Sequence, residues 1–281
     1  MLFFNRGPVV PVLRFTGPIG MVTPLRPGLA LASVAGPIEK AFGLSKLPTV
    51  AIVVNSPGGS PVQSHLIFSR IRQLAEEKEK KVYVFCEDVA ASGGYFLALA
   101  GDEIYADPSS IIGSIGVISA SFGLDKFIER FGIERRVHAA GKDKGAFDPF
   151  QPERPEDVAR LKELQRDVHA TFIGIVKQRR AGKLAGPEEE LFSGAFWSAS
   201  KAREHGLIDG VADLRSKMQA LHGRKVRLRA VPMGGGGLLS RFRRLPGFHW
   251  SGNDGFAFAP SFADDLISAV EARSLWSRFG L

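Results

Sequence analysis

Thr49-Val50-Ala51-Ile52-Val53-Val54-Asn55-Ser56-Pro57-Gly58-Gly59-Ser60-Pro61 holds a strand, a glycine turn and the start of a helix in one short stretch. Its first six residues are continuously apolar or β-branched, the pattern of a strand buried on both faces in a parallel sheet. Ser56 to Gly59 stops the strand. Ser60 then offers an N-cap, Pro61 suits the first helical position, and Gln63 stands where a capping box places its partner. Val62, Leu66, Ile67, Ile71 and Leu74 follow at helical spacing, and Glu76 to Lys81 closes the segment with charge.

The same alternation continues on either side. Val9 to Phe15, interrupted by Pro11, predicts a first strand that ends at Thr16-Gly17-Pro18. Residues 23 to 36, with Pro24, Pro27, Gly28 and Gly36, predict a loop. Lys81 to Cys86 predicts the next strand, and Ala90 to Tyr95 leads into an Ala-rich helix through Ala100. Ile104 to Ala106, Ile115 to Ser119 and Glu134 to His138 predict short strands, with a helix at Phe127 to Phe131. Beyond a polar loop over residues 139 to 152, the longest periodic segment runs from Glu156 to Arg180. It sets Val158, Leu161, Leu164, Val168, Phe172 and Ile175 on one stripe.

Strands alternating with helices define an α/β class with a mostly parallel central sheet flanked by helices. The expected organisation is one domain over residues 1–222, a basic, Gly-rich linker over 223–246 and a C-terminal tail over 247–281. The tail is expected to form a short helix between Phe262 and Trp276. No internal repeat is present.

The formal net charge is +8, with the excess in short clusters such as Arg135-Arg136, Lys177 to Lys183 and Arg241 to Arg244. None carries a nucleic-acid-binding motif, so no nucleic acid partner is expected. The single cysteine, Cys86, lies in an apolar run and is expected to be a buried small hydrophobe. No His, Cys, Asp and Glu cluster has ligand spacing, so neither metal nor cofactor is expected. The opening Met-Leu-Phe-Phe-Asn-Arg-Gly-Pro lacks the pattern of a secretory signal, and no run of eighteen apolar residues occurs. A cytoplasmic location is the expectation. The basic, amphipathic stretch Leu238 to Leu245 could add peripheral contact with an anionic membrane surface.

Two glycine turns that follow buried strands resemble parts of an acyl-transfer site. Ser56-Pro57-Gly58-Gly59 frees the backbone to aim N–H groups inward. Ala91-Ser92-Gly93-Gly94 places a serine at a helix start, where the dipole and the following N–H can stabilise a developing oxyanion. A serine nucleophile also needs a base. None of the six histidines has a local signature of that role, although His138 at an expected strand end is the least unfavourable. A lysine can serve if burial lowers its pKa, but 37 Lys and Arg residues leave the choice open on spacing alone.

From about Val9 to Val211 the chain resembles the signal-peptide-peptidase A and SohB-type serine peptidases, which share the ClpP/crotonase-like fold. The stretches that carry the resemblance are Val54 to Gly59, Asp88-Val89-Ala90-Ala91-Ser92-Gly93-Gly94-Tyr95 and Ile112-Gly113-Ser114-Ile115-Gly116-Val117. Gly141-Lys142-Asp143-Lys144 through Pro149 and the late run Phe196-Trp197, Ala202 and Gly206-Leu207-Ile208-Asp209 complete it. The resemblance implies Ser92 as nucleophile, Lys144 as general base in preference to Lys142, and Ser114 as the serine that orients the lysine. It implies an oxyanion hole from Gly93 N–H with an N–H of Gly58 or Gly59. It also implies a homo-oligomer in which the serine and lysine of one site can come from different protomers. The substrates implied are apolar peptides such as signal-peptide remnants, with small side chains before the scissile bond.

Two rival readings remain beside this one. A crotonase-like acyl-CoA enzyme would use the oxyanion hole without a serine nucleophile. A catalytically inactive, membrane-associated scaffold would use neither, although Ser92, Lys144 and Ser114 are all present.

Overall fold

The computed structural model describes residues 7–20, 28–233, 270 and 273–281. The first half of the chain alternates β1 (Val9–Thr16), α1 (Leu31–Gly43), β2 (Thr49–Ser56), α2 (Pro61–Glu77), β3 (Lys81–Ala91) and α3 (Gly93–Ala98). Short strands β4 (Glu103–Ala106) and β5 (Ile111–Gly113) follow, then α4 (Asp125–Arg130) and the long α5 (Pro155–Arg179). The remainder comprises α6 (Glu188–Leu191), β6 (Phe196–Ser198), α7 (Ala199–Glu204), β7 (Gly210–Val211), α8 (Leu214–His222) and β8 (Arg227–Ala230).

The strands join in one sheet with the order β6-β5-β3-β2-β1-β8, while β4 pairs with β3 and β7 with β4. Pairing is parallel except between β5 and β6. This is the α/β architecture expected from the sequence.

Alternation along each strand explains the continuous apolar runs. Leu13, Phe15, Ile52, Val54, Val82 and Val84 turn to the face covered by α1, α2 and α3. Val10, Val12, Ala51, Val53, Tyr83 and Phe85 turn to the other face, against Met218 of α8. Both faces being covered, every position must be apolar. Fully burying one such side chain contributes about 1.5–3 kcal/mol. Cys86 is buried among them, and burial pushes its thiol up to about 12.

Ser60 caps α2, its hydroxyl accepting from Gln63 N–H at 3.3 Å. Gln63 does not return to the cap. Its Oε1 instead accepts from Leu31 N–H at 2.9 Å, at the start of α1. Residues 31–36, expected as loop, are therefore helical, and Pro37 sits inside that helix.

Other expectations also change. Ile115–Ser119 and Glu134–His138 form no strand, because neither has a partner strand among the described residues. β3 runs on to Ala91, pairing with β4 at Tyr83–Cys86 and then with β5 at Val89–Ala91. The stretch 223–246, read as a linker, supplies β8, which pairs with β1 from Val9 to Val12. Gly234 to Gly237, Leu238 to Leu245 and the start of the expected tail helix lie outside the described residues, but residues 273–277 are helical. Phe279 packs with Val89 and Ala91.

Candidate active site

The carboxyl ends of β2 and β3 meet where the two glycine turns face each other. β3 pairs with β5 up to Ala91–Gly113, and the next N–H, that of Ser92, donates to Gly113 O at 2.8 Å. The chain then turns into α3. Ser92 makes that turn with φ 53° and ψ −122°, a conformation that side-chain-bearing residues rarely adopt. Such a sharp strand-to-helix elbow lifts a serine hydroxyl out of the sheet and costs about 1–3 kcal/mol of backbone strain. Ser92 is half-buried, and its hydroxyl makes no hydrogen bond among the described residues.

Gly58 packs directly against this elbow. A Cβ on it would lie 2.8 Å from Ser92 Cβ and 2.9 Å from Gly93 N, and its φ is +105°. Both facts require glycine there. Its N–H donates to Ser56 Oγ at 3.2 Å. Gly59 and Gly93 differ from it: their N–H groups have no partner among the described residues, and both glycines line the same pocket as Ser92. A Cβ on Gly93 would stand 2.5 Å from Ser64 Oγ, so that buried hydroxyl would have to move.

That pocket has a volume of about 240 Å³. Val62 and Leu66 of α2, Phe96 of α3 and Phe172 of α5 give it apolar walls, with Val117 at one side. Phe96 and Phe172 stack at 4.9 Å between centroids, and His65 meets Phe96 edge-on at 5.9 Å. Val62, Leu66 and Phe172 stand at helical spacing in the sequence, which assigns none of them to a pocket. Only the folding of α5 across α2 and α3 brings them together.

Ser114 follows the residue that binds the Ser92 N–H. It too has a positive φ, 53°, and it is 4% exposed, with its N–H donating to Ala195 O at 2.7 Å. Lys144 is elsewhere. Its side chain is exposed, it is absent from the pocket lining, and it makes no hydrogen bond with Ser92 or Ser114 among the described residues. Lys142 is likewise exposed, as is His138. One chain thus brings together Ser92, Ser114, Gly58, Gly59 and Gly93 but not the lysine.

The segment bearing Lys144 is unusual in its surface. Phe122 is 84% exposed, and Phe127, Phe131, Ile133 and Phe147 also face outward. Of the expected apolar stripe of α5 only Phe172 is buried, with Val176 buried beside it, while Leu164 is open. Asp143 pairs with Arg160 of α5 at 3.1 Å, holding the Lys144 loop against the helix.

A family profile described as "Peptidase family S49" matches residues 74–226. The chain belongs to peptidase family S49, which spans the Ser92 elbow, Ser114 and the Lys144 loop. It is 32% identical over 222 residues to "Serine protease SPPA, chloroplastic" of Arabidopsis thaliana, covering 72% of this chain and 32% of that protein. It is 32% identical over 141 residues to "Putative protease SohB" of Buchnera aphidicola, covering 50% of this chain and 40% of that one.

A protein of Brucella abortus named "Na(+)/H(+) antiporter NhaA" is 53% identical over 278 residues, covering 97% of this chain but 37% of its own length. The chain thus spans between about a third and two fifths of these relatives' lengths, and the transport name does not carry over to it. Among the described residues no helix is long and apolar enough to cross a membrane.

Proposed function

We propose that this chain is the peptidase unit of a serine endopeptidase that cleaves apolar peptides, signal-peptide remnants among them, with Ser92 and Lys144 from two copies forming each site. The observation that carries the reading is the Ser92 elbow. A hydroxyl and two N–H groups, of Gly59 and Gly93, that have no partner among the described residues border one apolar pocket.

In this reading a neutral Lys144 Nζ removes the Ser92 Oγ proton as the oxygen attacks the peptide carbonyl. The tetrahedral oxyanion takes hydrogen bonds from Gly93 N–H and Gly59 N–H; the Gly58 N–H already has Ser56. The resulting Lys144 ammonium protonates the leaving amine, and a water, deprotonated by the same lysine, hydrolyses the acyl-enzyme. Ser114 orients the lysine. A lysine base must lose its proton at working pH, which calls for desolvation. Lys144 is exposed in the chain, so a neighbouring copy must supply the cover, and the outward-facing Phe122, Phe127, Phe131 and Phe147 suit that contact.

The pocket admits larger side chains than the small ones the resemblance implies. A dry cavity of about 150 Å³ already admits a benzene ring, and this one measures about 240 Å³. A branched or aromatic side chain next to the scissile bond therefore fits.

The test is hydrolysis of a fluorogenic apolar peptide by wild type, Ser92→Ala and Lys144→Ala. Loss of activity in both variants, with oligomer size retained, supports the proposal. An inert, fully assembled wild type returns the acyl-CoA and scaffold readings to the front.

A further inference from the structure

The pocket beside Ser92 does not end at its apolar walls. Val117 also lines a second, open groove of about 540 Å³, whose other walls are Ala159, Lys162, Gln165, Arg166 and His169 of α5. The same helix thus supplies Val168, Thr171 and Phe172 to the pocket and, one to two turns nearer its start, the cationic residues of the groove. His169 Nε2 lies 3.0 Å from Ile115 O, which fixes the groove against the segment that follows Ser114.

The charges in this groove are unmatched. Arg160, Lys177 and Arg179 of α5 pair with Asp143, Glu188 and Asp102 respectively. Lys162 and Arg166 have no carboxylate partner among the described residues. Arg166 Nε donates only to Lys162 O, at 3.3 Å. Glu163 and Asp167, on the adjoining face of the helix, pair with neither.

We infer that this groove is a second substrate subsite, one that recognises a carboxylate on a peptide whose apolar side chain occupies the pocket beside Ser92. The inference rests on the peptidase reading and names its substrate class more narrowly. The centres of the two sets of lining residues are about six positions apart on α5, or roughly 9 Å. An extended peptide covers that distance in about three residues. The favoured substrates carry an acidic side chain, or a free C-terminal carboxylate, about two to four residues from the anchored apolar side chain.

Binding to the full-length Ser92→Ala protein tests this without turnover. Four amidated peptides labelled with a neutral dye share one apolar core. Two carry Asp three residues to either side of it, one carries Asn at both positions, and one carries an Asp next to the core. A fifth, neutral peptide has a free C-terminus. The expected result is roughly threefold to tenfold tighter binding of one distal Asp peptide than of the Asn peptide. That preference should shrink in high salt and vanish in Lys162→Glu/Arg166→Glu, with Asn-peptide binding unchanged. Tighter binding of the fifth peptide assigns the groove to a chain terminus, and of the distal Asp peptide to a side chain. Equal binding of all peptides, binding of none, or equal weakening of all by the double variant with altered oligomer size overturns the inference. Turnover of the Asn peptide by wild type tests the peptidase reading separately.

Discussion

Ser92 N–H donates to Gly113 O at 2.8 Å, which locks the elbow at the end of β3 to the end of β5. Ser114 is the residue after that carbonyl, so the same hydrogen bond sets two serines with positive φ side by side at the carboxyl ends of two paired strands. Nothing in the local sequence of either serine predicts their adjacency, since it follows from the pairing of Ala91 with Gly113.

Gly58→Ala should leave the sheet intact and disable the site. The new methyl would meet Ser92 Cβ at 2.8 Å and Gly93 N at 2.9 Å, both parts of a packed backbone turn. Displacing an oxyanion donor typically costs about a hundredfold or more in kcat. Peptide hydrolysis alongside far-UV circular dichroism checks this, and retained activity would show that the elbow tolerates the shift.

Leu66→Glu should separate binding from stability. Leu66 lines the pocket yet is 39% exposed, so the change costs little folding energy. A carboxylate in the apolar wall should raise KM for peptides with a large apolar side chain about tenfold or more, because an unpaired charge must be desolvated. Steady-state kinetics with thermal unfolding measures both, and the expected Tm stays close to wild type.

Phe122→Asp/Phe131→Asp should yield folded but inactive smaller species. Both rings are exposed, and neither belongs to the buried core. Light scattering after gel filtration should show loss of the oligomer, with hydrolysis lost in parallel. An active monomer would place the whole site within one chain.

Asp209 links stability to pH. Burial raises its pKa, but hydrogen bonds from Arg180, Lys183 and the Ile104 N–H outweigh that, so the net shift is below the usual carboxylate value. Its stabilisation is therefore complete above the unfolded-state value of about 4 and fades as pH falls through the lowered folded-state value. Arg180 is 2% exposed, and Asp209→Asn would leave it without a counter-charge among the described residues, at a cost of about 3 kcal/mol. Urea unfolding should show a constant wild-type advantage above about pH 5 that narrows below about pH 4.

The sequence made the scaffold legible where burial dictates composition. β2 is apolar at successive positions because both of its faces are covered, and Ser60-Pro61 marks the start of α2 without tertiary help. The start of α1 was not legible, because Gln63, thirty-two residues away, satisfies the Leu31 N–H. Ile115–Ser119 and Glu134–His138 have strand composition, but β preference is realised only where a neighbouring strand pairs and packs. The Ser92 and Gly93 turn stood out by its glycines. The pocket did not, since Leu66, Phe96 and Phe172 look like ordinary core residues until three helices converge.

Mixing two inactive variants asks whether each site draws Ser92 and Lys144 from different copies. Ser92→Ala and Lys144→Ala are co-expressed with different tags, and mixed oligomers are purified through both. Random assembly gives about one competent pairing in four, and selection through both tags removes the inactive pure oligomers, so about a quarter of wild-type activity or more is expected. Mixed oligomers with no activity, while wild type carried through the same procedure remains active, would mean that each site takes both residues from one copy.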